Sequence, residues 1–310
     1  MIAFGVSVSE GEAYRRYAER GIERAKEAES EVYVFAAVGD ALRTYNLLLQ
    51  TAAKHDDLEA LALVHPHTEI LDTDFCGKVR EALVDPAVAV AGPIGAAGVR
   101  TIAWWEGEIS AGPVIQAYND FGSGEVVPYY WKTRTPAGAE VDAVSGMLMI
   151  LSPWAVRNVQ FDEALALGHG YEVDYCMQVR AAGRKVVTVD LAVTHNQSLD
   201  LVEDLPCWAE AHRAVAEKWE GRMPGATQGH DEPTEAEWKR RARRAEAERE
   251  LARAIAYGST LTLDARVAAA ERELERTESS LSWRLTEPLR RANHWRRKRQ
   301  DGRDVKGPPR

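Results

Sequence analysis

Apolar and polar positions follow two different rhythms along residues 1–200. Continuous apolar runs at Ile2–Val8, Glu31–Ala37 and Leu61–His65 are separated by Glu12–Glu29 and Leu42–Lys54, where apolar residues recur every three or four positions. Short unbroken runs suit strands covered on both faces, and the longer spacing suits amphipathic helices. Their alternation predicts an α/β fold with a mostly parallel mixed sheet flanked by helices. Open sheets of this kind collect ligands beyond the carboxyl ends of their strands. The polar residues directly after each run are therefore the first candidates: Ser7 and Ser9, Gly39-Asp40, and His65-Pro66-His67-Thr68-Glu69.

Gly, Pro and aromatic residues between Gly92 and Pro136, with Trp104-Trp105 and Tyr129-Tyr130-Trp131, read as loops and short strands around a cleft. Val141–Leu151 reads as a strand with Ser145-Gly146 inside it. A helix follows from about Glu172 to Ala182, closed by Gly183, and a last strand, Lys185–Val193, ends at Thr194-His195. Beyond about Pro206 the composition turns to Ala, Glu, Arg and Lys. The expected division is a domain at 1–205, a charged helical extension at 206–257 and a basic helical or disordered tail at 258–310.

With 310 residues and 45% hydrophobic composition the chain can bury a sizeable core. A net charge of -9 argues against general nucleic-acid binding, which depends on Lys and Arg neutralising phosphates. Cys76, Cys176 and Cys207 give neither a disulfide framework nor a paired metal-thiolate motif, which fits a reducing compartment. Met1–Ser9 lacks the basic start of a signal peptide, and Val144–Leu151 is far shorter than the roughly 20 residues of a membrane span. The expectation is a soluble, cytoplasmic protein.

Chemistry concentrates in Gly168-His169-Gly170-Tyr171-Glu172-Val173-Asp174-Tyr175-Cys176. Glu172 and Asp174 fall in a first helical turn, where free N–H groups and the dipole favour carboxylates. Simple capping and a catalytic role both account for them. The segment, with Arg180 and Gly183 after it and His195 at the next strand end, resembles glycosyltransferase family 2, the GT-A fold of inverting nucleotide-sugar transferases. Thr44-Tyr45-Asn46, Val64–Ile70 and Phe161-Asp162-Glu163 are similar to further pieces of that family in the same order, over roughly residues 1–200.

The resemblance implies transfer of a sugar, with inversion, from a nucleotide-diphosphate donor to a hydroxyl of a glycan or lipid-linked acceptor, as in polysaccharide or cell-envelope assembly. It implies Glu172 as general base and Asp174 as a supporting carboxylate. Ser7 and Ser9 resemble nucleotide-binding positions, joined by Asp40, Asn46, Ser145 and Gly146. Asp40 also suits a turn, and Asn46 also suits a buried amide bonding a loop. Trp105 offers an aromatic face to sugar CH groups or fills core under long loops.

The family implies a divalent cation, Mn or Mg, on an Asp-x-Asp. Here His67 stands where the second acid would, preceded by His65 and followed by Glu69. A site using His67 with His195, a site in which Glu69 replaces the aspartate, and a pocket with little metal binding all remain open; His65 reads as an ordinary satisfied polar group. Loss of the Asp-x-Asp also supports an alternative, a catalytically inactive scaffold on the same fold. No Gly-x-Gly-x-x-Gly or phosphate loop suggests any other nucleotide enzyme.

The last stretch, Trp283–Arg310, is strongly basic and contains Ser282-Trp283-Arg284-Leu285-Thr286-Glu287-Pro288-Leu289-Arg290. It reads equally as a peripheral contact with the inner membrane face and as a solvated end.

Overall fold

The computed structural model describes residues 1–37, 41–117, 129–130, 135–165, 168–196, 205–224, 267–268, 272 and 276. Asp40, Trp131 and the tail beyond 276 lie outside them. The chain divides into two compact units, Met1–Thr234 and Glu235–Arg310. In the second, the described residues Val267, Ala268, Arg272 and Arg276 are helical.

The helices of the first unit are α1 (Gly11–Ala13), which runs through a π-helical turn at Tyr14–Ala18 into α2 (Glu19–Ala25), then α3 (Ala41–Ala52), α4 (Phe75–Ala82), α5 (Pro153–Asn158), α6 (Tyr171–Ala181) and α7 (Leu205–Lys218). Its strands are β1 (Ile2–Val8), β2 (Glu31–Ala36), β3 (Ala60–Val64), β4 (Thr68–Ile70), β5 (Val88–Gly92), β6 (Ile94–Ala97), β7 (Glu108–Ala111), β8 (Val114–Gln116), β9 (Tyr129–Tyr130), β10 (Thr135–Pro136), β11 (Glu140–Val141), β12 (Ala143–Val144), β13 (Leu148–Leu151), β14 (Lys185–Thr188) and β15 (Val193–His195).

The main sheet has the order β11-β14-β5-β13-β3-β1-β2. β2, β1 and β3 are parallel neighbours, β14 is parallel to β5, and β13 runs antiparallel between β3 and β5. This is the expected mostly parallel mixed sheet flanked by helices. β3, β5 and β13 are buried at every residue, which explains their unbroken apolar runs. α3 turns Leu42, Tyr45, Leu48, Leu49 and Ala52 toward that core at helical spacing.

Two long runs prove to be shared between sheets. Val141–Leu151 is broken at Ser145-Gly146: β12 pairs with β6 in a second sheet, and β13 enters the main one. Lys185–His195 likewise divides into β14 in the main sheet and β15, which joins β4 and β8. Residues 206–223 lie beyond the expected boundary at 205, yet Ala211, Val215, Trp219 and Met223 are buried in the first unit. Among the described residues no helix is long and apolar enough to cross a membrane.

Candidate functional site

β1 has β2 on one side and β3 on the other, so the chain reverses its direction of travel across the sheet at β1 and β3. Strand ends diverge at such a switch point and leave a crevice. A cleft of about 120 Å³ opens there, lined by Ser7 and Ser9 of β1 and its end, Ala37 after β2, His65 after β3, Leu42 and Tyr45 of α3, and Tyr171 of α6. Ser7 is 5% exposed, and its Oγ has no hydrogen-bond partner among the described residues. A buried hydroxyl without a partner is costly unless something else supplies one.

Tyr45 and Tyr171 close the inner wall. Their phenols hydrogen-bond to each other, their rings lie 5.5 Å apart, and burial raises the pKa of both. Gly146 makes room for this pair, because a Cβ there would stand 2.5 Å from the Tyr171 hydroxyl. Ser145 sits in the same bend with its Oγ accepting from Met147 N, at 3.4 Å.

Glu172 follows Tyr171 in the first turn of α6. The helix starts from Gly170 at φ 75°, a left-handed conformation natural to glycine, and a Cβ there would also meet Ile102 at 2.5 Å. Glu172 is half-buried, and desolvation pushes its carboxyl up to about 7 despite a hydrogen bond from its own backbone. A carboxyl poised there exchanges a proton near neutral pH, as a general base must.

Asp174 faces elsewhere. It is 1% exposed and accepts from Trp219 Nε1 at 2.7 Å and Gln178 Nε2 at 2.8 Å, with Lys218 Nζ also 2.8 Å away. The structure does not bring it to the cleft. Asn46 is likewise occupied within the fold: its amide donates to Phe161 O at 2.9 Å and Glu163 Oε1 at 3.0 Å, and accepts from Phe161 N at 2.9 Å. Trp105 is half-buried and packs edge-to-face on buried Trp104. Its loop is anchored by Asp142, which accepts from the backbone of Gly98 and Val99 and pairs with Arg180 at 3.1 Å.

Three imidazoles gather beside the cleft. His65 lies 5.4 Å from His67 and 5.7 Å from His195, centroid to centroid. Burial, then the neighbouring His67, lowers His65 to about 4. Burial, then His65 and His67, puts His195 well below its usual range. His67 Nδ1 lies 2.9 Å from Asn196 O, and its Nε2 lies 3.4 Å from Glu10. Glu69 is not part of this group. His195 is paired across the ladder with Thr68, so its side chain shares a face with Thr68 and not with Glu69. Glu69 instead pairs with Arg24 at 3.1 Å. His67, His195 and Glu69 therefore do not form one ligand set, and among the described residues no group of three or more His, Cys, Asp or Glu side chains is arranged to hold a metal ion.

The structure thus brings Ser7, Ser9 and Tyr171 together at the cleft, with Glu172 the next residue of α6. It adds His65, which the sequence reading took for an ordinary satisfied polar group, and Tyr45, which that reading named only as part of a family segment. Their signals were present, since His65 directly follows an apolar strand and Tyr45 lies in the first turns of α3.

No family model matches the chain. A curated relative, the streptomycin biosynthesis protein StrF of Streptomyces griseus, is 28% identical over 195 residues, which are 62% of this chain and 64% of that protein. The chain thus matches less than two thirds of the relative's length. Among solved structures, A197 from STIV aligns at a TM-score of 0.41 and 11% identity over 64% of this chain and 86% of its own. GalNAc-T7 with UDP, GalNAc and Mn2+ aligns at 0.46 and 12% identity over 71% and 48%. The mannosyltransferase PcManGT from Pyrobaculum calidifontis, in complex with GDP-Man and Mn2+, aligns at 0.42 and 12% over 92% and 81%. All three TM-scores lie below one half, so none bears on the chemistry of the site.

Proposed function

We propose that this chain is a GT-A-type glycosyltransferase that moves a sugar from a nucleoside-diphosphate donor to an acceptor hydroxyl, with inversion. The observation that carries the reading is Glu172, a carboxyl held near neutral pKa in the helical turn that also supplies Tyr171 to the switch-point cleft. In this reading the donor's nucleoside end fills the cleft against Tyr45 and Tyr171, and the Ser7 hydroxyl gains the partner it lacks. Glu172 takes the proton from the acceptor hydroxyl as that oxygen bonds to the anomeric carbon, opposite the departing diphosphate.

The described residues do not form a divalent-cation site, so no step is routed through a metal. The 28% identical relative, named for streptomycin biosynthesis, supports a role in assembling a product. A glycan or lipid-linked acceptor follows from the sequence resemblance alone.

The test is a thermal-shift titration with UDP, GDP and dTDP, each with and without manganese, followed by turnover of the sugar donor of whichever nucleotide binds. Stabilisation by one nucleotide, with loss of turnover but retained binding in Glu172→Gln, supports the reading. Absence of stabilisation by all three nucleotides in both conditions refutes it.

A further inference from the structure

Residues 206–223 were expected to belong to a charged helical extension after the domain at 1–205. They pack instead on the first turn of α6. Val215 of α7 lies 3.5 Å from where a Cβ on Gly170 would be. Three residues on, Lys218 Nζ reaches Asp174 at 2.8 Å and Asp162 at 2.6 Å, and the next residue, Trp219, donates from Nε1 to Asp174 at 2.7 Å. Trp219 is 5% exposed, and Arg222 stacks over its ring at 4.6 Å.

These contacts close a ring. Asp162 belongs to the loop whose Phe161 backbone and Glu163 side chain are held by Asn46 of α3. Next to Asn46, Tyr45 hydrogen-bonds to Tyr171, which returns to α6 and Asp174. Glu172 and Asp174, two residues apart, point to nearly opposite sides of the helix. Asp174 is therefore a grip on the back of the turn that carries Glu172.

We infer that Lys218 and Trp219 are positioning residues of the catalytic site, acting through Asp174 to fix the first turn of α6 and with it Tyr171 and Glu172. The inference rests on the general-base role of Glu172 given above. A desolvated, oriented carboxyl needs a turn that does not breathe, and the Lys218 bridge between Asp162 and Asp174 restrains it from outside the cleft. The titratable groups that face Glu172 are Tyr45 of α3 and Tyr171 and Cys176 of its own helix.

The experiment follows the Glu172 carboxyl directly in the full chain labelled with carboxyl-13C glutamate. Its NMR signal is identified by its loss in Glu172→Gln, and it is titrated in the wild type, Lys218→Met and Lys218→Arg. No donor is required. In Lys218→Met, water reaching a loosened turn lowers the Glu172 midpoint by about one pH unit or more, and Lys218→Arg keeps the wild-type midpoint.

The sign is informative. Removing a positive charge without loosening the turn would raise the midpoint, so a rise overturns the inference, as does an unchanged midpoint in folded Lys218→Met whatever its melting temperature. If circular dichroism shows Lys218→Met unfolded, Trp219→Phe, which removes the indole N–H bond to Asp174, takes its place, with a smaller fall expected and an unchanged midpoint overturning the inference. A wild-type midpoint at the ordinary 4.5 would overturn the general-base reading as well, so failure of that reading and failure of this inference alone give different results.

Discussion

Replacing Glu172 by Gln should make the protein more stable at and above neutral pH and leave it unchanged below about pH 4.5. Burial raises this carboxyl from its ordinary 4.5 to about 7, so the folded state binds its proton more tightly than the unfolded chain does. The shift has no effect below pH 4.5, where both states are protonated alike; stability is lost progressively from there to about 7, while only the unfolded chain gives up the proton, and the loss is complete once the buried group also ionises. The gap between those two values, at about 1.36 kcal/mol per pH unit, sets an upper bound of about 3 kcal/mol on the stability recovered by the neutral amide. Partial exposure of the side chain reduces that figure by screening. For a unit of this size each kcal/mol moves Tm by about 2–4 °C, so the expected gain at pH 8 is several degrees. Melting curves of both proteins from pH 3.5 to 8.5 should start together in acid, separate between pH 4.5 and about 7, and keep a constant gap above that. Parallel curves between pH 4.5 and 7, or a wild type more stable at pH 8, would refute the desolvation argument and weaken the case for Glu172 as a base near neutrality.

Three further substitutions probe the site. Asn46→Ala removes three hydrogen bonds to the Phe161–Glu163 loop and leaves a buried N–H and C=O behind, so denaturant unfolding should show a loss of about 2–4 kcal/mol. Ser7→Ala removes a hydroxyl with no partner among the described residues; its Tm should not fall below that of wild type, and calorimetry should show nucleotide binding weakened about five-fold or more. Gly146→Ala drives a methyl to 2.5 Å from the Tyr171 hydroxyl, so the Tyr45–Tyr171 bond should break, lowering Tm and weakening nucleotide binding together; unchanged values would refute the crowding.

The alternation of strands and helices was legible because each element of residues 1–64 is local, and the periodicity of one element needs no distant information. The place of Glu172 in a first helical turn was legible for the same reason, as an acid following a glycine turn into a helix. Asp174 was not separable from it, since both stand in the same turn and only the packing of α7, some forty residues on, tells which one is enclosed. Asn46 illustrates the same limit: an amide near a helix start suits a ligand or a loop, and the choice falls to Phe161, which no local pattern connects to it. The run Val141–Leu151 looked like one strand because burial in two different sheets leaves the same apolar signature.

The place of β13 has a consequence for how the protein is made. A ribosome delivers β1, β2 and β3 before β13, and these three can assemble with their helices as soon as residue 64 is free. The flank of β3 that faces away from β1 then has no neighbour until Leu148–Leu151 emerges and runs back along it. Through all the intervening synthesis the nascent chain presents an apolar strand edge, which is a template for pairing with another chain. The antiparallel strand at the centre of the sheet is thus the piece that ends the period of greatest aggregation risk.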